Sequence, residues 1–249
     1  MAREEYILDI KNLSRSYVTV NPKGDTISTH VLKGISFRVK RGEFIAIMGS
    51  SGCGKTTLLK TLGMLNPPDE GMILYKGENT NEIYGDRLAK IRRTEIAFVF
   101  QDYYLLDSLT VQENIMLPLI LNNENYKKSI QKVGKIAKRF GIEHLLDKKP
   151  YELSGGEKQR TAICRAMIVA PELILADEPT GNLDAKASMT VIKTLSYINK
   201  KLGKTILLVT HDPVVASYCD QMLFLENGRI LKTIVKKGTR EEFYREILK

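Results

Sequence analysis

The residues that could do chemistry begin with GSSGCGKTT, Gly49 to Thr57, set directly after the apolar run EFIAIM. Glycine is the residue that loses most freedom on folding, so a cluster of it after a buried run asks for a compensating ligand. Gly49 to Thr56 has the spacing G-x-x-x-x-G-K-[ST], with a predicted strand before it and a predicted helix after it. In that context the glycines let successive backbone N–H groups turn inward around a phosphate, and the helix start adds a favourable dipole. Lys55 is expected to bridge the β- and γ-phosphates of a bound triphosphate, and the Thr56 hydroxyl to reach Mg²⁺. Cys53 has two readings: a thiol made reactive by the helix start, or a small filler pointing away from the ligand; we take the second.

A second chemical feature is the acidic pair in LILADEP, placed where an apolar strand ends. Phosphoryl transfer needs a divalent ion to neutralise charge and a group acting on the nucleophile. Asp177 is expected to hold Mg²⁺ and Glu178 to act on the attacking water. A third is LSGGEKQR, Leu153 to Arg160. Ser154 and Glu157 fit a capping box at a helix start, which makes a second anion site. A capping box leaves Gly155 and Gly156 unexplained, because glycine disfavours helix.

The elements that must position these groups follow from the hydrophobic pattern. YILDIKNLSRSYV alternates like a strand, and the segment through EFIAIMG reads as several β-rich pieces punctuated by Gly24, Gly34 and Gly42. Thr56 to Met64 is expected to be helical, and MILYKG and IAFVFQ to be strands. From Asp102 to about Arg165 the pattern turns helical with no convincing strand, which predicts a helical subdomain, 102–165, inserted in a single domain spanning 1–249. After Gly155, the residues Ile163, Ala166, Met167 and Ala170 mark one helix face. LILAD and TILLV read as strands buried on both faces, joined by a helix carrying Val191, Leu195, Ile198 and Leu202. A hairpin is expected to turn at Asn227-Gly228, and REEFYREILK to close the chain as an amphipathic helix. Alternating strands and helices predict an α/β fold: a P-loop NTPase (RecA-like) core with a mostly parallel sheet, an antiparallel β region and the helical insert. Ligands in such sheets lie at the carboxyl ends of strands, where the motifs fall.

Composition sets outer bounds. The 249 residues are 43% apolar and 27% charged, ordinary for a globular protein. No apolar run is long enough for a membrane span, and the start has no apolar core of a signal peptide. Cys53, Cys164 and Cys219 form no paired motif, which points to a reducing compartment, the cytoplasm. The net charge is +9, from 38 basic and 29 acidic residues. It reads as a solvated surface, with nucleic acid or an anionic membrane as the other possibilities.

With these motifs in order, the chain resembles the nucleotide-binding subunits of ATP-binding-cassette (ABC) transporters over essentially its full length. The loop at Gly49 resembles their Walker A motif, LILADE their Walker B, and LSGGEKQR their signature motif. The resemblance implies that ATP is held by the phosphate loop through Gly49, Ser50, Ser51, Gly52, Cys53, Gly54, Lys55, Thr56 and Thr57. It further implies adenine stacking by Tyr17, sensing of Mg²⁺ and the γ-phosphate by Gln101, a D-loop ending at Asp184 in GNLD, and a switch histidine at His211. Taken singly, each of these four has a plainer reading: Tyr17 as packing, Gln101 as a strand end, Asp184 as a helix cap, His211 as a core histidine.

The resemblance implies a mechanism as well. Two copies pack head to tail, so that Ser154, Gly155 and Gly156 of one face the γ-phosphate held by the other, and closure moves an integral membrane permease subunit. It places the chain peripherally on the cytoplasmic face of the cell membrane, with no direct nucleic-acid partner. The excursion SYVTVNPKGDTISTHVLKGISF and the stretch FVFQDYYLLDSLTVQENIMLPLIL are similar to ATPases of lipoprotein release, macrolide efflux and bacitracin-type peptide resistance. Tyr103, Tyr104, Leu105 and Leu106 are expected to contact the membrane partner, or else to pack in the core. Lys158 departs from the polar residue expected in the signature. The competing class is a soluble ABC ATPase acting on nucleic acid or ribosomes. The short stretch between Lys55 and Leu153, with no coiled coil, and the single cassette weigh against it.

Overall fold

The structure, a computed structural model, describes residues 5–20 and 24–249. The chain divides into two compact units, one of residues 1–85 with 207–249 and one of residues 86–206.

The first unit opens with two long strands, β1 (Tyr6–Val20) and β2 (Thr26–Lys40), followed by β3 (Phe44–Met48), α1 (Lys55–Leu62), β4 (Glu70–Tyr75) and the short β5 (Glu78–Asn79). β2, β1, β4 and β5 form an antiparallel sheet in that order. The predicted excursion is the β1–β2 hairpin, with Tyr17 opposite Thr29 and Val20 opposite Thr26; its tip at 21–23 lies outside the described residues.

Gly34 does not end a strand as expected. It lies inside β2 with φ 68°, and the register slips between Leu13↔Ile35 and Arg15↔Leu32, so the extra residue is taken up as a bulge. A bulge needs left-handed backbone at one position, and glycine supplies it without a side-chain clash. Every residue of β3 is buried, in keeping with a strand covered on both faces.

In the second unit lie most of α2 (Gly85–Thr94), then β6 (Ile96–Phe100), α3 (Val111–Leu121), α4 (Tyr126–Arg139), α5 (Gly155–Met167), β7 (Leu173–Asp177) and α6 (Ala185–Leu202). β6 and β7 pair in parallel, with Phe100 opposite Asp177, so Gln101 and Glu178 follow adjacent strand ends. Among the described residues, 102–165 holds helices and no strand. Val191, Leu195 and Ile198 are buried on α6 as their spacing predicts. Ala170 departs from the expected face: it lies beyond α5, exposed, with φ 53°. α2 was not foreseen, because Ile91 is its one buried residue and it has almost no apolar period to read.

The boundary between units falls within β8 (Thr205–Val209), after which the chain continues in the first unit. There α7 (Pro213–Ala216), β9 (Gln221–Glu226), β10 (Arg229–Val235) and α8 (Arg240–Ile247) complete the fold. β3 and β9 pair in parallel, and β9 and β10 form the predicted hairpin, turning at Asn227 (φ 48°) and Gly228 (φ 79°). Positive φ at both positions matches the twist of flanking strands, which is why Asn-Gly marks such turns. The class is thus α/β, with a mixed, mostly parallel sheet and a separate antiparallel one.

Candidate active site

In the first unit the loop after β3 is built as a cradle. Gly52 (φ 78°) and Gly54 (φ 106°) are left-handed, a conformation costly for other residues. Gly54 is the N-cap of α1, no side chain caps that helix, and its first turn carries no acid. The positive end of its dipole is thus not offset by an acid in the first turn. Lys55 is 6% exposed, and its Nζ donates to the carbonyl oxygens of Gly49 at 3.0 Å and Ser50 at 2.9 Å. The ammonium thus braces the loop whose amides would meet the phosphates. Ser50, Ser51 and Thr56 are exposed and Thr57 is half-buried. Cys53 is buried, and its Sγ lies 2.7 Å from where a Cβ on Gly49 would stand.

Gly49 is fixed by crowding. A Cβ there would sit 2.1 Å from the carbonyl oxygen of Leu225. Gly49→Ala should cost about 1–3 kcal/mol, as other overpacking changes do. A thermal unfolding midpoint lower by at least about 2 °C is expected; an unchanged midpoint would show that the loop relaxes freely.

His211 follows β8, and the neighbouring Thr210 N–H donates to the Ile47 carbonyl at 3.1 Å, two residues before the loop begins. His211 is exposed, which removes its reading as a core histidine. Tyr17 is half-buried; its hydroxyl accepts from Asn66 Nδ2 at 3.2 Å, and the Arg15 guanidinium lies 5.3 Å from its ring centre.

The second unit gathers the remaining predicted residues. Glu178, after β7, has φ 43°, and its carbonyl accepts from Gly181 N–H at 3.0 Å in the turn that follows. Gln101 Nε2 donates to Asn182 Oδ1 at 2.9 Å, and Asn182 Nδ2 donates to Asp102 Oδ1 at 3.2 Å. Gly181 makes room for this contact, since a Cβ on it would lie 2.8 Å from Gln101 Nε2. Asp184 caps α6, accepting from Ala187 N–H at 2.8 Å, so its plain reading as a cap is satisfied.

Ser154 caps α5 in the predicted box: Glu157 N–H donates to Ser154 Oγ at 3.4 Å, and Ser154 N–H donates to Glu157 Oε2 at 2.8 Å. That backbone bond, with the Ser154 hydroxyl, holds the Glu157 carboxyl below the ordinary range. The two glycines now have a packing reason. A Cβ on Gly155 would lie 3.0 Å from Leu183 and 3.1 Å from the Tyr103 hydroxyl, and one on Gly156 3.0 Å from the Ala187 Cβ. The helix start is thereby pressed onto the loop that carries Asp184.

Three residues escaped the sequence reading: Asn182, Gln159 and Arg165. Gln159 is fully buried and donates through Nε2 to the Phe100 carbonyl at 3.4 Å. Arg165 donates to the carbonyls of Tyr103 and Tyr104. The signal available for Arg165 was a charge inside the apolar run TAICRAMIV. Tyr104 and Leu106 are 61% and 49% exposed, while Tyr103 and Leu105 are half-buried. The outer pair therefore has surface to offer a partner.

The donor set suits a nucleotide with magnesium. Among the described residues no group of three or more His, Cys, Asp or Glu could hold a metal alone. Magnesium bound through one or two carboxylates, hydroxyls, water and substrate phosphates needs no such cage.

Comparison with known proteins agrees with this chemistry. The family model for the ABC transporter matches residues 32–181. The ABC transporter ATP-binding protein YxdL of Bacillus subtilis is 48% identical over 242 residues, covering 97% of this chain and 92% of its own. The bacitracin export ATP-binding protein BceA of Halalkalibacterium halodurans is 43% identical over 98% of this chain and 94% of its own. Among solved structures, the ATP-binding cassette MJ0796, dimeric in a post-hydrolysis state with ADP and Pi, aligns with a TM-score of 0.84 at 35% identity. That alignment covers 93% of this chain and 99% of the other.

Proposed function

The chain belongs to the ABC transporter family as one of its ATPase subunits, and from this premise we propose that it works as an ATP-closed homodimer powering a separate integral membrane permease. The observation that carries the reading is the start of α5. Ser154 is exposed, Gly155 half-buried and Gly156 buried at a helix start packed on the Asp184 loop, and the phosphate loop belongs to the other unit of the chain. Two-fold packing of two copies pairs each such helix start with the other copy's nucleotide. The Ser154 hydroxyl and adjacent N–H groups then stabilise charge on the transferring phosphoryl group, in place of an arginine finger.

The roles divide as follows. Tyr17 stacks on adenine. The loop from Gly49 to Thr57 cradles the phosphates, with Lys55 on the β- and γ-groups. Mg²⁺, when bound, neutralises phosphate charge, and Thr56, Gln101 and Asp177 are the residues we assign to it. Glu178 accepts a proton from the attacking water, His211 supports the γ-phosphate, and Asp184 belongs to the dimer contact. The 102–165 segment acts as a helical subdomain that carries the partner-facing residues Tyr104 and Leu106.

Similarity to a bacitracin export ATP-binding protein supports peptide-antibiotic resistance as the system served, with lipoprotein release or drug efflux as sister roles. No helix among the described residues is long and apolar enough to cross a membrane. Similarity to ATP-binding subunits of export and release systems supports a peripheral place, held by a permease at the cytoplasmic face. Co-expression with a candidate membrane permease should yield a stable complex whose ATP hydrolysis exceeds that of the lone chain. Stimulation by DNA or ribosomes instead would overturn the transport assignment.

A further inference from the structure

The segment after Gln101 takes an unusual path. Tyr103 and Tyr104 are consecutive non-glycine residues with φ 61° and 45°, in the left-handed region that side chains disfavour. Local hydrogen bonds run from Tyr103 N–H to the Phe100 carbonyl at 3.3 Å and from Tyr104 N–H to the Asp102 carbonyl at 2.6 Å. Both carbonyls of the tyrosine pair are then taken by one side chain. Arg165 Nη2 donates to the Tyr103 carbonyl at 2.6 Å and Nη1 to the Tyr104 carbonyl.

Among the described residues no carboxylate pairs with Arg165, and burial pulls its guanidinium below the ordinary arginine range. Arg165 is half-buried, and a cation partly withdrawn from water with carbonyl dipoles for partners is disfavoured unless its geometry is tightly fixed. The planar fork matches two neighbouring carbonyls in a way that a lysine ammonium cannot. The same helix reaches the strand end a second time, through Gln159 Nε2 and the Phe100 carbonyl. α5 thus grips the chain on both sides of Gln101.

We propose that Arg165 is a positioning residue for ATP hydrolysis, its guanidinium fork holding Tyr103 and Tyr104 left-handed and so fixing Gln101 against Asn182. It acts through Gln101, and therefore rests on the assignment of Gln101 to the magnesium and γ-phosphate.

The test compares Arg165→Lys, Gln101→Ala and the double variant in the purified full-length chain. Arg165→Lys should lower kcat about tenfold or more, as small misplacements of catalytic groups do, while KM for ATP stays within about twofold. Amide hydrogen exchange should quicken within residues 101–106 and not elsewhere. The double variant should be no slower than Gln101→Ala alone, because the two changes act through one group. Adding Tyr103→Gly and Tyr104→Gly to Arg165→Lys should recover part of the lost kcat, since glycine takes left-handed backbone without a side-chain clash. An unchanged kcat in Arg165→Lys, additive losses in the double variant, or global rather than local exchange would overturn the proposal. Full activity in Gln101→Ala would overturn the assignment of Gln101 together with the proposal. A tenfold loss there beside an unaffected Arg165→Lys would sink the proposal alone.

Discussion

Glu178→Gln should keep ATP bound and all but abolish its turnover. The substitution preserves shape and hydrogen-bonding reach while removing the charge and the proton acceptor. A positioned general base contributes about 10²–10⁴-fold to rate, and the loss in kcat should fall in that range. The backbone supports a role that demands aim. Glu178 has φ 43°, with Pro179 following and its carbonyl tied to Gly181 N–H at 3.0 Å. Holding a non-glycine residue there costs on the order of 1–3 kcal/mol, and such strain persists where the surroundings over-determine the conformation. With hydrolysis blocked and binding intact, ATP should accumulate a dimer, visible as a doubled mass in light scattering that is absent with ADP. A variant that stays monomeric with ATP and hydrolyses it at near-normal rate would remove Glu178 from the chemistry.

How much of this site could be read from the sequence depends on how local the cause was. The turn after β3 was legible because its requirements are met within nine residues: Gly52 and Gly54 at positions that become left-handed, then Lys-Thr at a helix start. The Ser154 box and the Asn227-Gly228 turn were legible for the same reason. Gly155 and Gly156 were flagged as unexplained, and their packing reason is tertiary, since the atoms that exclude a side chain belong to Leu183, Tyr103 and Ala187. Asn182 and Arg165 find their partners about 60 to 80 residues away in sequence, so no window of local pattern contains the pair. Gly34 misled because glycine punctuates strands both by ending them and by bulging them, and its neighbours give no sign of which.

That division bears on regulation. The cradle for the phosphates is locally encoded. By contrast, the cluster around Gln101, Asn182, Gly155 and Arg165 exists through contacts that α5 and the loop after β7 make with the end of β6. Any partner that shifts α5 would alter this second cluster as a unit. A comparison of Glu178 and Lys55 variants tests from its two ends whether ATP binding and hydrolysis separate by mutation.

Lys55→Ala should fail at the other step, losing tight ATP binding altogether. Lys55 is 6% exposed, and its ammonium already spans two loop carbonyls, Gly49 at 3.0 Å and Ser50 at 2.9 Å. On the proposed assignment, its removal takes away the charge meant for the phosphates as well as the brace across the two loop carbonyls. Hydrogen bonds to a charged group contribute about 1.5–3 kcal/mol each, and 1.4 kcal/mol is a factor of ten in affinity. Loss of even two such bonds predicts affinity lower by at least about 10²-fold. Lys55→Met separates the causes, because it keeps most of the buried stem and removes only the ammonium. Both variants should remain folded at the assay temperature by circular dichroism, yet both should lose nucleotide in a fluorescence titration. Unchanged affinity in either one would place the phosphates elsewhere and take the cradle out of the mechanism.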